Sequence, residues 1–205
     1  MTATSAAEPR RKRVTKSQQD RMSDILRAGD EVFREIGFQD ATIEHITRAA
    51  GIAKGTFYLY FTSKDHLLAA LWERYVDAFV QTTEEVLGQE LGWQESIDQL
   101  LGALIEHAVR HAELHRIVYS SANAKALELC KRSNQRVIEL MIGFVLANVD
   151  ATEADIDPEL ACRMIYHAAD GLLDDLIGRR TEIDLAHVTR CVVRMANLTL
   201  TSRAH

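Results

Sequence analysis

Residues 42–65 read TIEHITRAAGIAKGTFYLYFTSKD, and this stretch carries the clearest signals of the fold that we expect for the chain. Thr42 is a good helix N-cap, and apolar residues recur at helical spacing after it until Gly51, where a tight turn is expected. A second short helical segment opens at Lys54 and is expected to continue to Phe61. Two short helices joined by a glycine-containing turn have the size of a helix-turn-helix unit, whose second helix enters the major groove of DNA.

The second segment separates an inward face from an outward face. Phe57 and Phe61 stand four residues apart, so both are expected to face the core. This arrangement leaves Tyr58 and Tyr60 more exposed.

The polar residues of the same segment suit a polyanionic partner. Lys54 brings a mobile positive charge, Thr56 adds a hydroxyl donor, and Gly55 leaves room for close approach of the backbone. The free N–H groups at the start of a helix also favour phosphate. Lys64 is expected to serve as a second phosphate anchor.

Helical patterns also occupy both flanks of this stretch. One helix is expected from Ser17 to Gly37, and a long helix is expected behind the N-cap Ser63 until Gly88 interrupts it. Further helical patterns cover about 94–110, about 112–149 with one break, 158–179 and 185–202. The chain has 205 residues with only two prolines and ten glycines, so helix breakers are scarce and the expected fold class is all-α.

Charge is distributed unevenly along the chain. The net charge is −6, but residues 1–66 carry 11 Lys and Arg against 9 Asp and Glu, whereas residues 67–205 carry 13 against 21. The basic excess therefore lies in the part that contains the helix-turn-helix unit. Residues 1–16 are expected to be a disordered basic arm, which either contacts DNA or only solubilises the chain. The candidate contacts in this arm are Arg10, Arg11, Lys12 and Arg13.

The stretch from Thr42 to Asp65 resembles the signature of the TetR (TetR/AcrR) family of transcriptional regulators. The residues that carry the resemblance are Thr42-Ile43-Glu44-His45-Ile46, then Ala49-Ala50-Gly51-Ile52, then Lys54-Gly55-Thr56-Phe57-Tyr58-Leu59-Tyr60-Phe61-Thr62-Ser63-Lys64-Asp65. The resemblance implies an N-terminal three-helix DNA-binding domain, a fourth connecting helix and a divergent C-terminal domain that binds an inducer. We therefore expect a DNA-binding domain over residues 17–65 and a helical effector-binding and dimerisation domain over residues 66–205.

The same resemblance implies roles for single residues of the DNA-binding domain. The expected DNA-contacting residues are Thr42, Lys54, Gly55, Thr56, Tyr58, Tyr60 and Lys64. Thr42 would cap the second helix and donate to a phosphate, and Lys54 would open the recognition helix over bases and backbone together with the two residues after it. Glu44 would either accept from a cytosine amine or keep a solvated or intrahelical role.

The last two helical patterns carry more apolar residues than one monomer core easily consumes. The resemblance implies that these helices pair with their counterparts in a four-helix bundle, and complete burial within the monomer is the alternative. Two copies of the DNA-binding domain related by two-fold symmetry imply a palindromic operator. The residues expected at the dimer interface are Ile165, Ala169, Leu172, Leu176, Val188, Val192 and Met195.

The helices between Trp93 and Val149 are where the resemblance implies an effector pocket. The candidate residues combine apolar and aromatic groups with a few polar neighbours, as a small organic ligand requires, and ordinary core packing is the alternative for each. They are Trp93, Leu104, His107, Tyr119, Met141 and Phe144.

No metal site and no cofactor are expected. His107, His111 and His115 repeat every four residues, but His111 falls where family members turn between two helices, so the stripe is expected to be broken. An acidic group on one helix is interpreted as a surface that meets basic partners or solvent. It consists of Asp170, Asp174 and Asp175. The three cysteines stand far apart without CxxC spacing and are expected to be small buried thiols.

Together these features predict a homodimeric, cytoplasmic repressor that leaves its DNA operator when a small apolar or amphipathic effector binds. The alternative is a DNA-binding adaptor or architectural protein of the same fold without a small ligand. No nucleophile, acid/base pair or metal set with diagnostic spacing supports an enzyme. The apolar runs are too short for a membrane span, and the N-terminus lacks the apolar stretch of a secretory signal.

Overall fold

The computed structural model describes residues 17–121, 123–148, 156–180 and 182–201. The helices are α1 (Gln18–Ile36), α2 (Ile43–Ala49), α3 (Lys54–Tyr58), α4 (Lys64–Leu87), α5 (Trp93–Arg110), α6 (Ala112–Arg116), α7 (Ala124–Asn148), α8 (Pro158–Gly178) and α9 (Leu185–Thr201), with a π-helical turn at Ile117–Ser121. The all-α prediction is confirmed, and the described ranges contain no strand and no helix long and apolar enough to cross a bilayer. The predicted basic arm, with Arg10, Arg11, Lys12 and Arg13, lies outside the described residues.

Local sequence signals set the ends of the first two helices as expected. The Ser17 hydroxyl accepts from the N–H of Asp20 at 3.0 Å, and the Asp20 carboxylate accepts from the N–H of Ser17, so α1 begins with a capping box. Thr42 caps α2 by accepting from the N–H of His45 at 3.2 Å. Gly51 then turns the chain at φ 63°, a left-handed conformation that glycine adopts without steric cost.

Helix α3 is shorter than the sequence pattern predicts. It ends at Tyr58 rather than at Phe61, because the next residues tighten into shorter-range hydrogen bonds, such as that from the N–H of Tyr60 to the carbonyl of Phe57 at 3.0 Å. Phe57 and Phe61 are buried as expected, at 0% and 1% exposed. The tight turn brings both rings into the core before Ser63 caps α4.

Helix α4 joins the helix-turn-helix unit to the rest of the molecule. Its first turns pack on α1 so closely that a Cβ atom added to Gly29 would lie 2.5 Å from Cδ2 of Leu67. Its later turns pack against α5 and α7. Trp72 is buried between these two regions, and one continuous hydrophobic core follows the helix.

The chain turns at His111, between α5 and α6, so the predicted break in the histidine stripe is confirmed. The three imidazoles nevertheless gather around one aromatic ring. The ring centres of His107, His111 and His115 lie 4.3, 5.4 and 5.1 Å from that of Tyr75. Across the described residues, no three or more His, Cys, Asp or Glu side chains are arranged to hold a metal ion.

Burial in α8 and α9 corrects part of the predicted dimer interface. Ile165, Ala169 and Val192 are only 2%, 1% and 3% exposed, because they lie on the inward stripes of their helices and belong to the protomer's own core. The remaining members of the predicted interface are exposed or half-buried. They are Leu172, Leu176, Val188 and Met195.

Two cysteines are buried as expected, and the third is not. Burial raises the pKa of the Cys130 thiol to about 12 and that of the Cys162 thiol to about 11. Cys191 is exposed, one helical turn before the exposed Met195, so the expectation of a buried thiol is wrong there.

Candidate functional site

The residues expected to contact DNA lie at the start of α2, along α3 and at the start of α4. The exposed members are Thr42, Lys54, Gly55 and Tyr58, and the half-buried members are Thr56, Tyr60 and Lys64. A Cβ atom added to Gly55 would meet nothing within 4 Å, so packing inside the protein does not require glycine there. The open space over Gly55 is available for the close approach of another molecule.

Glu44 and Lys54 form an ion pair between α2 and α3. Nζ of Lys54 lies 2.7 Å from Oε1 of Glu44, and both side chains are more than half exposed. The hydrogen bond and positive charge of Lys54 lower the pKa of Glu44, and the same interaction raises the pKa of Lys54. A phosphate that binds Lys54 therefore competes with Glu44. Neither interpretation of Glu44 from the sequence included this ion pair between α2 and α3.

Lys64 has partners other than the one expected. Its ammonium group donates to three carbonyl oxygens, at distances of 2.7, 2.9 and 3.0 Å, and these belong to Phe38, Gln39 and Ala41. It also lies 4.7 Å from the centre of the Phe38 ring. Since an ammonium group has three N–H donors, the carbonyls occupy all of them. Lys64 thus holds the turn between α1 and α2 against α4, and its contact with phosphate stays a prediction.

A large apolar side chain stands beside the predicted contacts. Leu59, directly after α3, is 80% exposed, and the neighbouring Tyr58 is 49% exposed. Thymine methyl groups in the major groove are the apolar partners that DNA offers to such a side chain. Sequence reasoning missed Leu59, although its place between the inward-facing Phe57 and Phe61 indicates an outward direction.

Two small cavities between α4, α5, α6, α7 and α8 share part of their walls, and together we call them the interhelical channel. Each holds about 20 Å³ of free space, enough for about one water molecule. The shared walls are Phe79, Leu104, Val137 and Tyr166. The first cavity adds Trp72, Tyr75, Val76, Ala108, His115, Asn134, Asp170 and Leu173. The second adds Thr83, Leu100, Leu101 and Met141, so the channel has a polar end and an apolar end.

A chain of hydrogen bonds closes the polar end of the channel. Nε1 of Trp72 donates to Oδ1 of Asn134 at 2.7 Å, and Nδ2 of Asn134 donates to the Tyr119 hydroxyl at 3.3 Å. The Tyr119 hydroxyl donates to the two carboxylate oxygens of Asp170 at 3.1 and 3.2 Å. Burial raises the pKa of Asp170, and the hydrogen bond from Tyr119 partly offsets this. Each donor in this series of hydrogen bonds is directed toward Asp170, which is the final acceptor.

Two histidines hold Tyr75 at the same end of the channel. Nε2 of His107 donates to the carbonyl oxygen of Tyr75 at 2.9 Å, and Nε2 of His115 lies 2.8 Å from the Tyr75 hydroxyl. Burial lowers the pKa of His107 and lowers the pKa of His115 to about 3, so both imidazoles are neutral at neutral pH. Nδ1 of His115 is buried and has no hydrogen-bond partner in the described part of the chain.

The predicted pocket residues divide into two groups. Those that line the channel or bond to a lining residue are Leu104, His107, Tyr119 and Met141. Those that are half-buried against the core and line neither cavity are Trp93 and Phe144. Sequence reasoning missed most of the polar end, because most of its residues come from α4 and α8, outside the stretch between Trp93 and Val149.

The interpretation of Asp170 as a residue facing basic partners or solvent is wrong, since its carboxylate lines the channel. Asp175 fits that interpretation, because it accepts from Nε of Arg179 at 3.2 Å on the surface. Asp170 follows buried Tyr166 by four residues and buried Ala169 by one, so it borders the inward stripe of α8. That spacing is the signal that indicates its inward position.

Comparison with known families agrees with these features. The sequence model described as "Bacterial regulatory proteins, tetR family" matches residues 25–71. The model described as "Tetracyclin repressor-like, C-terminal domain" matches residues 92–198, which is slightly more than half of the chain.

Similar proteins are regulators by name. The fatty acid metabolism regulator protein of Bacillus subtilis is 22% identical over 185 residues, which cover 88% of this chain and 95% of that protein. The uncharacterized HTH-type transcriptional regulator YvdT of Bacillus subtilis is 31% identical over 137 residues, which cover 63% of this chain and 69% of that protein. The crystal structure of FadR from Bacillus subtilis in complex with stearoyl-CoA aligns with a TM-score of 0.73 at 20% identity, over 89% of this chain and 99% of that one. From these matches, this chain belongs to the tetR family of bacterial regulatory proteins and is a DNA-binding transcriptional regulator.

Proposed function

We propose that the protein is a dimeric repressor that releases a palindromic operator when an amphipathic small molecule enters the interhelical channel. The observation that carries this proposal is the course of α4. Its first turns pack on α1 through Leu67, and its later residues Trp72 and Phe79 line the channel. A molecule that displaces the channel walls therefore displaces the helix that supports the DNA-binding domain.

The channel has to open for an effector to bind. Free spaces of about 20 Å³ hold about one water molecule each, whereas organic ligands occupy hundreds of cubic ångströms. Effector binding in this proposal therefore requires the helices around the two cavities to move apart. Met141 lines the apolar cavity, and its unbranched thioether side chain adapts readily to a new shape. An effector that binds only the opened form shifts the population toward it.

The similar proteins support an effector with a long apolar chain. One is named as a fatty acid metabolism regulator, and one solved structure is a complex with stearoyl-CoA. The apolar end of the channel offers Leu100, Leu101 and Met141 as walls for such a chain. We therefore place an acyl chain or a comparable hydrocarbon at this end.

Exposed apolar residues on α8 and α9 support a homodimer. They recur at spacings of three, four or eight residues and so form one stripe on each helix. They are Leu160, Met164 and Leu172 on α8, with Met195 and Leu198 on α9. A second copy packed by two-fold symmetry would remove both stripes from water, and this surface takes the place of the buried residues in the predicted interface.

In this proposal residues 17–65 form the reading head and residues 66–205 bind the effector and the second copy. Lys54, Gly55 and Thr56 would face the major groove. The phosphate contacts would be Thr42, Tyr58 and Tyr60. A bacterial regulator that binds chromosomal DNA acts in the cytoplasm, and the proposed mechanism involves no catalytic step.

The experiment that tests this function is affinity selection of genomic fragments from the source organism at near-physiological salt. The wild type should enrich one inverted repeat, and the double variant Lys54→Ala/Tyr58→Ala should not. The matched control Arg132→Ala/Leu146→Ala changes two exposed residues of α7 and should enrich the same repeat. Equally diffuse recovery by all three proteins would contradict a specific repressor and favour an adaptor of the same fold.

A further inference from the structure

We propose that Asp170 makes the interhelical channel selective for an effector whose buried head group is a hydrogen-bond donor, namely a hydroxyl, an amide N–H or an ammonium group, and that it rejects a carboxylate. This inference rests on the proposed function and deepens it, because it names the chemical class of the head group. The name of the fatty acid metabolism regulator among the similar proteins does not specify the charge of an effector head group. The negative charge of Asp170 in the channel wall does.

The first argument is the direction of the hydrogen bonds. Trp72 donates to Asn134, Asn134 donates to Tyr119, and the Tyr119 hydroxyl donates to Asp170 at 3.1 and 3.2 Å. Donors aligned in one direction polarise each other and strengthen the final bond to the carboxylate. A carboxylate has about four acceptor positions, so Tyr119 leaves capacity for a further donor.

The second argument is the charge of the channel wall. The titratable residues that line the polar cavity are Tyr75, His115, Tyr166 and Asp170, and neither Lys nor Arg belongs to its lining. The other charged groups that act on Asp170 are Lys131 and His167, which favour its ionised form, and Asp174, which disfavours it. An effector carboxylate would stand beside a second carboxylate in a poorly solvated space, where like charges repel strongly.

The third argument is an unsatisfied atom in the same wall. His115 is 2% exposed and lines the polar cavity, and its Nδ1 has no hydrogen-bond partner in the described ranges. A buried polar atom without a partner costs free energy that a ligand group can recover. When Nε2 of His115 accepts from the Tyr75 hydroxyl, the N–H of His115 is on Nδ1. An effector hydroxyl suits this wall because it can donate, as Asp170 requires, and accept, as that N–H requires.

The rest of the channel defines the other part of the effector. Beyond Phe79 and Leu104, which line both cavities, the walls are Leu100, Leu101 and Met141. These side chains offer apolar surface and favour a hydrocarbon tail. The effector class is therefore an apolar chain with a terminal donor.

The test compares four probes with the same ten-carbon chain, each used below its micelle concentration. They are decylamine, decanol, methyl decyl ether and decanoate. Binding is measured by calorimetry and by the shift in melting temperature, since a ligand of the native state stabilises it by mass action. We expect decylamine and decanol to bind wild type at least about tenfold more tightly than the ether and decanoate, because a hydrogen bond to a charged group changes a dissociation constant by about that factor.

The variant Asp170→Asn keeps an oxygen that accepts from Tyr119 and removes the charge. We expect it to lose the preference for decylamine over decanoate by about tenfold. Asp174→Asn is the matched control, because Asp174 lies one turn further along α8 and does not line the channel. The control should keep the wild-type preference. If Asp170→Asn does not fold, the comparison of decanol with its methyl ether on wild type still tests the inference.

Three results would overturn the inference. The first is equal binding of decanoate and decylamine to wild type, the second is an unchanged preference in folded Asp170→Asn, and the third is binding of none of the probes. Operator release is measured separately: donor probes that bind but do not release DNA would support the inference on Asp170 while contradicting the proposed function.

Discussion

The indole N–H of Trp72 donates a 2.7 Å hydrogen bond to the side-chain oxygen of Asn134, which lies 62 residues further along the chain. Both residues are buried, at 1% and 7% exposed, so neither polar group has water as an alternative partner. The bond joins α4, which supports the reading head, to α7, which forms one wall of the channel. In the proposed effector response, a movement of α7 would therefore be passed to α4 at this point.

Trp72→Phe should weaken the effector response more than operator binding. The change removes the N–H, leaves the Asn134 oxygen without that donor and creates a small cavity, so we expect a loss of about 1 to 3 kcal/mol in the free energy of unfolding. Operator affinity without effector should stay within about twofold, because Trp72 lies away from the DNA-reading surface. Fluorescence anisotropy with labelled operator and denaturant unfolding measure the two quantities.

The matched control for Trp72→Phe is Arg136→Ala, which breaks an exposed ion pair with Asp77 between the same two helices. Exposed pairs contribute little, so the control should lose less than about 1 kcal/mol and keep the full effector response. A loss of operator affinity as large as the loss of effector response in Trp72→Phe would contradict coupling through α4.

Glu44→Gln should strengthen DNA binding at low salt. The substitution frees Lys54 from the ion pair at 2.7 Å and removes a negative charge beside the expected phosphate position. We expect operator affinity to rise by about threefold to tenfold at low salt, with a smaller gain as screening increases. A salt titration of binding measures this change. Glu106→Gln breaks a comparable exposed pair in α5 and should have no effect, whereas weaker binding by Glu44→Gln would show that Glu44 itself contacts DNA.

Lys64→Met should destabilise the turn between α1 and α2. Methionine keeps an apolar stem but cannot donate to the three carbonyl oxygens that Lys64 holds at 2.7 to 3.0 Å. We expect a loss of about 2 kcal/mol in the free energy of unfolding, together with faster amide exchange around Ala41. Lys125→Met changes an exposed lysine of α7 and should be close to neutral. Unchanged stability of Lys64→Met with weakened DNA binding would instead assign Lys64 to phosphate.

Stability should fall in mild acid because His115 is buried in its neutral form. Its folded-state pKa is about 3 against an ordinary value of 6.5, so between these values the unfolded chain binds more protons. The stabilising contribution is complete above the ordinary pKa and is lost as the pH falls, by about 2 kcal/mol near about pH 5. His107, whose pKa is also lowered, adds to the same trend.

The measurement is denaturant unfolding across this pH range for wild type and His115→Gln. Asp170, whose raised pKa acts with the opposite sign, is common to both proteins and cancels in the comparison. The slope of stability with pH should be smaller in His115→Gln and unchanged in the exposed control His187→Gln. Equal slopes in all three proteins would contradict a neutral, buried His115.

Leu198→Glu should disrupt the proposed homodimer. Leu198 is 62% exposed in the protomer, so a charge there costs little in the monomer but is unfavourable against an apolar second copy. We expect a monomer by analytical ultracentrifugation and operator affinity reduced by at least about a hundredfold, because one head alone makes few contacts. Leu146→Glu changes another exposed leucine, on α7, and should remain dimeric. A dimeric Leu198→Glu protein would place the interface elsewhere.

Helix starts were predictable because their signals act over short range. Ser17, Thr42 and Ser63 each accept a hydrogen bond from the N–H three residues further on, and no distant residue takes part. The end of α3 was not predictable in the same way. Its last turn tightens because Phe57 and Phe61 both enter a core that α1 and α4 help to build.

The all-α fold, the helix-turn-helix unit and the family resemblance follow from the sequence alone, since they depend on caps, turn glycines and helical periodicity within short stretches. Which polar side chains meet depends on helix packing between distant parts of the chain. Packing buries Ile165 in the protomer core and brings Tyr119 to Asp170, and spacing along α8 indicates the face of Asp170 without giving this partner. A helix with apolar residues on several sides acquires its partners only when its neighbours pack against it.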